Sequence, residues 1–452
     1  MHRLRTHHQE HVLAGWDRLA DDARRVLIDQ LLRLDFPELD ALYRRKSETQ
    51  ASLPPRDRIE PLRVEESNNI TRSAIALGED ALRRGQLAVL LVAGGQGSRL
   101  GFEKPKGMYP VGPISGASLF QQHAEKVGAI SQRFGKPVPF LVMTSPATHE
   151  ETVAFFAEHQ NFGLEAGQLT FFQQGMMPAL DLATGRLLLE KPGSLFLSPN
   201  GHGGTLTALA DTGLLAELKA RGVQHVFYFQ VDNSLVKIAD PAFIGRHIET
   251  KTEVSTKVVL KERPDEKVGI LALVAGKCSI IEYSDMPAAM TNERTAAGDL
   301  AFRAGNVAIH AFSLEFLERV TTGAGRLAYH VARKKVPHYD PTTDTTMSPT
   351  NENALKFEMF VFDALPMATR WLAISVHRAD EFAPLKNATG ADSPDTVRRL
   401  QLDRAIRWLR AVGRDVPNDS IVEIRPSFAL NAEELRGKLP RNWQYSGPIV
   451  LG

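Results

Sequence analysis

Residues 91–108 read Leu-Val-Ala-Gly-Gly-Gln-Gly-Ser-Arg-Leu-Gly-Phe-Glu-Lys-Pro-Lys-Gly-Met. Glycines at 94, 95 and 97 let a backbone pass close to a bulky anion and turn its N–H groups toward it. Arg99 adds a planar fork of donors that matches phosphate oxygens, and Lys104 and Lys106 add point charges. The chemistry this suits is the handling of a polyphosphate. Two familiar phosphate motifs fit less well. A dinucleotide fold needs G-x-G-x-x-G opening a helix directly, whereas here Gly97 runs into Arg99, Gly101 and a Lys-Pro-Lys turn. A P-loop needs Gly-Lys-Ser/Thr, which is absent. The remaining reading, a merely structural glycine-rich turn, leaves the arginine and two lysines unexplained.

The elements that must position this loop are legible around it. Leu87 to Ala93 is a continuous apolar run, the mark of a strand buried on both faces. Helix-like Leu119 to Phe134, Ala147 to His159 and Leu206 to Arg221 alternate with strand-like Val138 to Thr144, Leu169 to Phe172 and His225 to Gln230. That alternation implies βαβ crossovers, a mainly parallel sheet flanked by helices and an α/β fold. Such sheets bind ligands at the carboxyl ends of their strands. From Glu253 to Phe312 the pattern turns strand-rich, at Val254 to Leu260, Gly269 to Val274 and Ser279 to Tyr283, and predicts an antiparallel addition.

Residues 1–84 read as helical. Leu13, Trp16, Leu19, Ala23, Val26, Leu27, Leu31 and Leu34 form one helical stripe, ended by Asp35-Phe36-Pro37. Ser52 to Pro61 is expected to be a loop, and a second helix is expected from Glu66 to Arg84, with Gly85 as its cap. After Lys386 comes a helix from Thr396 to Val412, then short strands at Ile421 to Ile424 and Ile449 to Leu451. The expected division is an N-terminal helical region over 1–84, a catalytic domain over 85–385 and a small C-terminal α+β module over 386–452.

Bulk composition narrows the function. The 54 lysines and arginines balance 53 acidic residues, so no net field draws the chain to nucleic acid or an acidic membrane. The N-terminus carries charges and histidines but no apolar stretch, so no secretory leader is expected. Apolar runs are too short to span a bilayer. The single cysteine, Cys278, excludes an intramolecular disulfide and fits a buried thiol in a reducing cytoplasm. Histidines 2, 7, 8 and 11 cluster at the N-terminus, where a solvated helix end is expected rather than a metal site.

The loop G-G-x-G-S-R-L-G followed by P-K-G-M resembles the signature of the eukaryotic-type UDP-sugar pyrophosphorylases, above all the UDP-N-acetylhexosamine (UDP-N-acetylglucosamine) branch. Six further segments resemble that family in the same order: Phe171-Phe-Gln-Gln-Gly-Met-Met-Pro178, Val231-Asp-Asn233, Ile281-Glu-Tyr-Ser284, Ala304-Gly-Asn306, Phe360-Val-Phe-Asp363 and Phe382-Ala-Pro-Leu-Lys-Asn387. The resemblance implies a Rossmann-like, glycosyltransferase-A-like nucleotidyltransferase. Its reaction is attack by a sugar 1-phosphate oxygen on the α-phosphorus of UTP, with loss of pyrophosphate. The nucleophile is already an anion, so the site must supply charge neutralisation and alignment rather than a base.

The same resemblance implies roles. Gly94, Gly95 and Gly97 would hold the UTP phosphates and ribose, Arg99 the leaving pyrophosphate, and Lys106 the charge on the α-phosphate; Lys104 reads equally as a solvated lysine. Asp232, just after a strand, would hold Mg²⁺, or else cap the next helix; Asp363 is a conceivable second ligand with no support in the sequence. Gln174 and the turn Pro199-Asn-Gly-His-Gly-Gly204, with Gly203 and Gly204, would read uracil. Gly269, Glu282 and Asn306 would face the sugar. Phe360 and Phe362 would wall an N-acetyl pocket or fill a core. Lys386 would reach the sugar phosphate. Gly201-His-Gly-Gly-Thr-Leu206 is more similar to the UDP-glucose and broad-specificity relatives, so His202 would contact sugar or base, or only satisfy its turn. The partners implied are UTP, a sugar 1-phosphate, the UDP-sugar and pyrophosphate. N-acetylglucosamine 1-phosphate is the leading sugar; glucose 1-phosphate, broad specificity and a non-catalytic UDP-sugar sensor are the alternatives.

Overall fold

Leu87–Val92 is a strand with all six residues buried, as an unbroken apolar run requires when both faces are covered. In the computed structural model, which describes residues 1–47, 53–323 and 326–452, it lies within an 11-stranded sheet. The main path of that sheet is built from β1 (Glu65–Glu66), β2 (Leu87–Val92), β3 (Phe140–Thr144), β4 (Leu169–Gln173), β5 (His225–Gln230), β6 (Val254–Leu260), β7 (Ala304–Ser313) and β8 (Trp371–Ser375). Their order is β1-β8-β6-β7-β5-β2-β3-β4. Neighbours are parallel, except that β7 runs against both β5 and β6. The mainly parallel α/β fold read from the sequence is therefore borne out. Because β7 is reversed, its first residues, Ala304 to Asn306, lie at the same sheet end as the carboxyl ends of the other strands.

The expected antiparallel addition is present as the hairpin of Ile270–Val274 and Lys277–Ile281, joined to β7 where Ile270 meets Gly305. Cys278 lies in it, free and buried, and burial pushes its thiol up to about 12.

Helices pack on this sheet through one apolar cluster. It combines Val89, Leu91, Phe140, Val142, Phe227 and Phe229 from strands with Phe120, Ala124, Phe156 and Phe243 from helices. The Leu119–Phe134 helix has the bounds its pattern predicts: Ser118 caps its start by accepting from the Gln121 amide, and Gly135 ends it at φ +66°. The Pro394–Ala411 helix begins at a capping box formed by Ser393 and Thr396.

Four expectations need correction. The stripe from Leu13 to Leu34 is not one helix. Gly15 at φ +77° separates 3-10 turns at Glu10–Leu13 and Trp16–Arg18, and the α-helix spans only Asp21–Arg33. Asp35 does not merely end that helix; it caps the next, Phe36–Arg44, with Pro37 in its first turn. Within the expected loop, Ile59–Pro61 is a strand paired to Ile270–Val274, while Ser52 lies outside the described residues. The Leu206 to Arg221 helix is split at Gly213, φ +77°, into Gly204–Asp211 and Leu214–Ala220.

By packing, the chain forms two compact units. The larger, Pro54–Gln173, Ala208–Gly325 and Ala364–Gly452, contains the sheet above. Toward its C-terminus, Val422–Ile424 and Ile449–Leu451 pair in parallel beside an apolar cluster of Ile406, Leu409, Leu435 and Leu451. The smaller unit, Met1–Leu53, Gln174–Thr207 and Arg326–Asp363, holds short antiparallel strands around Leu27, Leu180, Leu355 and Phe357. In it His7 bonds Asp40 at 2.6 Å and stacks on Phe36, and His11 bonds the Leu187 carbonyl at 2.8 Å. These histidines are packed rather than solvated. No described helix is long and apolar enough to cross a membrane.

Candidate active site

The glycine-rich loop is folded back on itself. The Lys106 amide donates to the Gly95 carbonyl at 3.0 Å, and the Gly97 amide donates to the Lys104 carbonyl at 2.9 Å. This closes a short hairpin around a 3-10 turn at Ser98–Leu100, with Gly101 at φ +68°. Gly97 therefore does not offer its N–H to a ligand. A side chain there is excluded for another reason: a Cβ would lie 2.7 Å from the Phe102 carbonyl oxygen. The Gly94 and Gly95 amides have no partner among the described residues, and the space beside Gly95 is open. Arg99 and Lys104 are exposed and Lys106 is half-buried. No described side chain pairs with any of the three.

This loop leaves the end of β2, and β5 lies directly beside it. Val92 stands opposite Gln230, and the Val231 amide donates to the Val92 carbonyl at 3.0 Å. Asp232 is the next residue, half-buried, its carboxylate without a partner among the described residues. The following α-helix, Pro241–Glu249, is capped by Asp240, which removes the capping explanation for Asp232.

Lys386 arrives from far along the chain. The Leu385 amide donates to the Asp232 carbonyl at 2.9 Å. Asn233 donates to the Glu381 carbonyl at 2.7 Å and accepts from the Ala383 amide at 3.0 Å. Glu381 in turn bonds Lys257 at 2.7 Å, and Lys257, which is 1% exposed, also bonds Asp240 at 2.8 Å. A buried ion network thus pins the 381–386 segment to the residues after β5.

The expected sugar residues gather at the same sheet end. The Asn306 amide donates to the Gly269 carbonyl at 2.8 Å. A Cβ on Gly269 would lie 3.1 Å from a Glu282 carboxylate oxygen. Burial, helped by Asp285, raises the Glu282 pKa, and Lys386 pulls it the other way. The Asn306 side-chain oxygen is spent on the Ala308 amide at 3.0 Å, which leaves its NH₂ as the available group.

The expected uracil residues belong to the smaller unit. Gln174 is 8% exposed, and its amide has no partner among the described residues. Gly203 and Gly204 are small because the protein itself approaches: a Cβ on Gly203 would lie 2.7 Å from Met359 and Phe360 backbone atoms, and one on Gly204 would meet Asn200. Burial pushes His202 down to about 4, so its ring is neutral. Its Nδ1 accepts from the Val361 amide at 3.2 Å, which leaves Nε2 as the donor. Phe360 and Phe362 stack on each other and flank this ring. Asp363 bonds His330 at 2.7 Å through one carboxylate oxygen.

Sequence reasoning missed Asp392. Its carbonyl accepts from the Lys386 amide at 2.7 Å. Burial raises its carboxyl pKa, with Lys386 opposing and Asp232 adding to the rise. No spacing rule connects residues 232 and 392, so only the fold reveals the pair.

The sequence pattern of the UTP–glucose-1-phosphate uridylyltransferase family matches residues 36–392. The chain belongs to that family. Among its relatives, the UDP-N-acetylglucosamine pyrophosphorylase of Saccharomyces cerevisiae is 39% identical over 384 residues, 83% of this chain and 80% of that one. The structure of the UDP-N-acetylglucosamine pyrophosphorylase of Trypanosoma brucei, solved with an inhibitor, has a TM-score of 0.83 at 31% identity, covering 100% of this chain and 97% of that one. A variant UDP-glucose pyrophosphorylase of Leishmania major shares the fold at a TM-score of 0.65 and 20% identity, over 90% of this chain and 85% of that one. The family resemblance read from the loop and its six companion segments is borne out.

Proposed function

We propose that the chain is a uridylyltransferase that makes UDP-N-acetylglucosamine and pyrophosphate from UTP and N-acetylglucosamine 1-phosphate. The observation that supports this is the backbone pairing of Leu385 with Asp232, which brings the Lys386 segment to Asp232 next to a cationic glycine loop at the end of a parallel sheet, with both side chains acting on the Asp392 carboxyl. The stronger likeness to UDP-N-acetylglucosamine enzymes supports that sugar over glucose.

A phosphate oxygen of the sugar 1-phosphate attacks the α-phosphorus, and the bond from that phosphorus to the β-phosphate oxygen breaks. No proton need move. The free amides of Gly94 and Gly95 and the Arg99 guanidinium would hold the triphosphate and leaving pyrophosphate. Lys106 would neutralise charge building on the α-phosphate. Lys386 would hold the incoming phosphate in line. Gln174, beside Gly203 and Gly204, would bond the uracil edge. Gly269, Glu282 and Asn306 would receive the sugar.

The half-buried, unpartnered Asp232 carboxylate suits Mg²⁺, which takes one or two carboxylates and completes its shell with water and phosphate oxygens. Among the described residues no three His, Cys, Asp or Glu side chains gather as a metal cage. Bound there, Mg²⁺ would withdraw charge from the reacting phosphates. The single buried cysteine suits a cytoplasmic setting.

The test is pyrophosphate release from UTP with each of glucose, galactose, N-acetylglucosamine and N-acetylgalactosamine 1-phosphate. N-acetylglucosamine 1-phosphate should give the highest kcat/KM. A higher value with glucose 1-phosphate would move the enzyme to the UDP-glucose specificity, and no release with any sugar would favour a sensor.

A further inference from the structure

A cavity of about 190 Å³ opens between the Leu119–Phe134 helix, residues 236–241 and the C-terminal part of the chain, where Arg404 and Trp408 line it. Four cations and the Asp240 carboxylate line it; Arg133 is paired with Glu434, Lys237 with Glu381 and Asp240 with Lys257, which leaves Lys126 and Arg404. Lys126, 5% exposed, donates to the carbonyls of Ser234 at 2.6 Å and Val236 at 3.0 Å. Arg404 reaches the Leu235 carbonyl at 3.4 Å and lies over the Trp408 ring, 5.0 Å from its centroid.

Neither cation has a carboxylate within ion-pair distance among the described residues. The acids nearby are already engaged: Glu381 and Asp240 with Lys257, Asp380 with Arg407, and Glu434 with Arg133. Burial and the Arg404 charge lower the pKa of Lys126 against the pull of Glu381, and burial brings Arg404 down to about 10 against the pull of Asp380 and Glu381. Burying two like charges together with no carboxylate in direct contact is costly, the more distant Glu381 and Asp380 do not offset it, and a bound anion would relieve the cost. Opposite the charges stand Ile130, Phe134 and Leu430.

We propose that this cavity binds a small phosphate monoester, its phosphoryl group between Lys126 and Arg404 and its apolar body against Trp408, Phe134 and Ile130. A phosphate monoester carries about −1.5 to −2 charge at neutral pH, which balances two cations. A cavity of roughly 150 Å³ accommodates benzene, so this one takes a single ring or short chain but not a nucleotide. The site also touches catalysis. Lys126 and Arg404 hold three consecutive carbonyls, from Ser234 to Val236, immediately after Asp232 and Asn233. An anion that draws these cations away slackens that segment and lowers turnover. The effect on turnover rests on the uridylyltransferase reading, whereas binding does not.

The test is calorimetric titration of the full chain with phenyl phosphate. Saturable binding is expected in the wild type and in Arg99→Ala, at least tenfold weaker binding in Arg404→Met, and weaker binding again for inorganic phosphate than for phenyl phosphate. Trp408→Phe, which keeps both cations, should retain binding but lose the accompanying change in tryptophan fluorescence, and serves if Arg404→Met fails to fold. No saturable binding, or binding lost in Arg99→Ala and retained in Arg404→Met, would overturn the site. Equal affinity for inorganic phosphate would overturn the apolar half of it. A fall in kcat that saturating UTP does not reverse is expected in the wild type; unchanged kcat at saturating phenyl phosphate would overturn the coupling.

Discussion

The backbone amide of Leu385 donates to the carbonyl oxygen of Asp232 at 2.9 Å. That one bond sets the backbone of Lys386, the basic residue assigned to the sugar phosphate, one residue along from the pairing with Asp232, the residue assigned to the metal, and both side chains act on the Asp392 carboxyl. It is backed by Asn233, which bonds both Glu381 and Ala383, so the pairing is built into the fold.

Asp232→Asn keeps size and shape while removing the charge. Because the carboxylate holds no protein partner among the described residues, the melting temperature should stay within a degree or two. Turnover should fall by about 10²–10³, the range for losing one positioned electrostatic contact, and the Mg²⁺ concentration for half-maximal rate should rise. A wild-type Mg²⁺ dependence in the variant would remove Asp232 from the metal site. Chelation of the wild type should abolish turnover without unfolding it.

Arg99 and Lys386 are assigned to opposite ends of the displacement, and kinetics separates them. Arg99→Ala should raise the KM for pyrophosphate in the reverse direction by at least tenfold. Lys386→Ala should lower forward kcat by about 10² and raise the KM for the sugar 1-phosphate, leaving pyrophosphate binding little changed. Near-normal turnover in Lys386→Ala would strike it from the mechanism.

The loop glycines divide into two kinds, and alanine distinguishes them. Gly95 has open space where a Cβ would stand, whereas Gly97 has the Phe102 carbonyl at 2.7 Å. Gly95→Ala should fold as well as the wild type and raise the KM for UTP by crowding the phosphates. Gly97→Ala should lose stability, by about 1–3 kcal/mol for an overpacked site, measurable by urea unfolding. Equal stability of the two variants would contradict the hairpin geometry.

Acid should weaken the fold through buried histidines. His225 and His247 meet edge to face at 5.1 Å, and burial holds them at about 4 and about 3, below the ordinary 6.5. As pH falls below 6.5, only the unfolded chain protonates them, so their contribution is complete above 6.5 and is lost on the way down to about 4 and 3. The slope is about 1.4 kcal/mol per pH unit for each histidine. Urea midpoints measured at pH 7 and pH 5 should differ accordingly, and by less in His247→Gln. A midpoint unchanged between those pH values would refute the buried, neutral assignment.

Local pattern carried the loop, the Leu119–Phe134 helix and the parallel order, because each depends on contiguous residues. It failed where a single glycine interrupts good periodicity. Gly15 and Gly213, both at φ +77°, break stripes that hydrophobic spacing alone reads as continuous. It also failed for Ile59–Pro61, too short to show alternation and made a strand by pairing with Ile270–Val274. The glycine loop and Asp232 were found because each follows a strand, and Lys386 through its place in a segment that resembles the family. Asp392, Lys257, Lys126 and Arg404 were not. Their partners lie far off in sequence, and a buried lysine reads as a surface one until the fold surrounds it.

The most direct measurement is product analysis of the purified full chain supplied with UTP, Mg²⁺ and N-acetylglucosamine 1-phosphate. UDP-N-acetylglucosamine and pyrophosphate should form in equal amounts, and at a rate at least a hundredfold lower in Asp232→Asn. UTP left unconsumed, or a UDP-sugar formed at the wild-type rate in that variant, would contradict the proposed reaction and site.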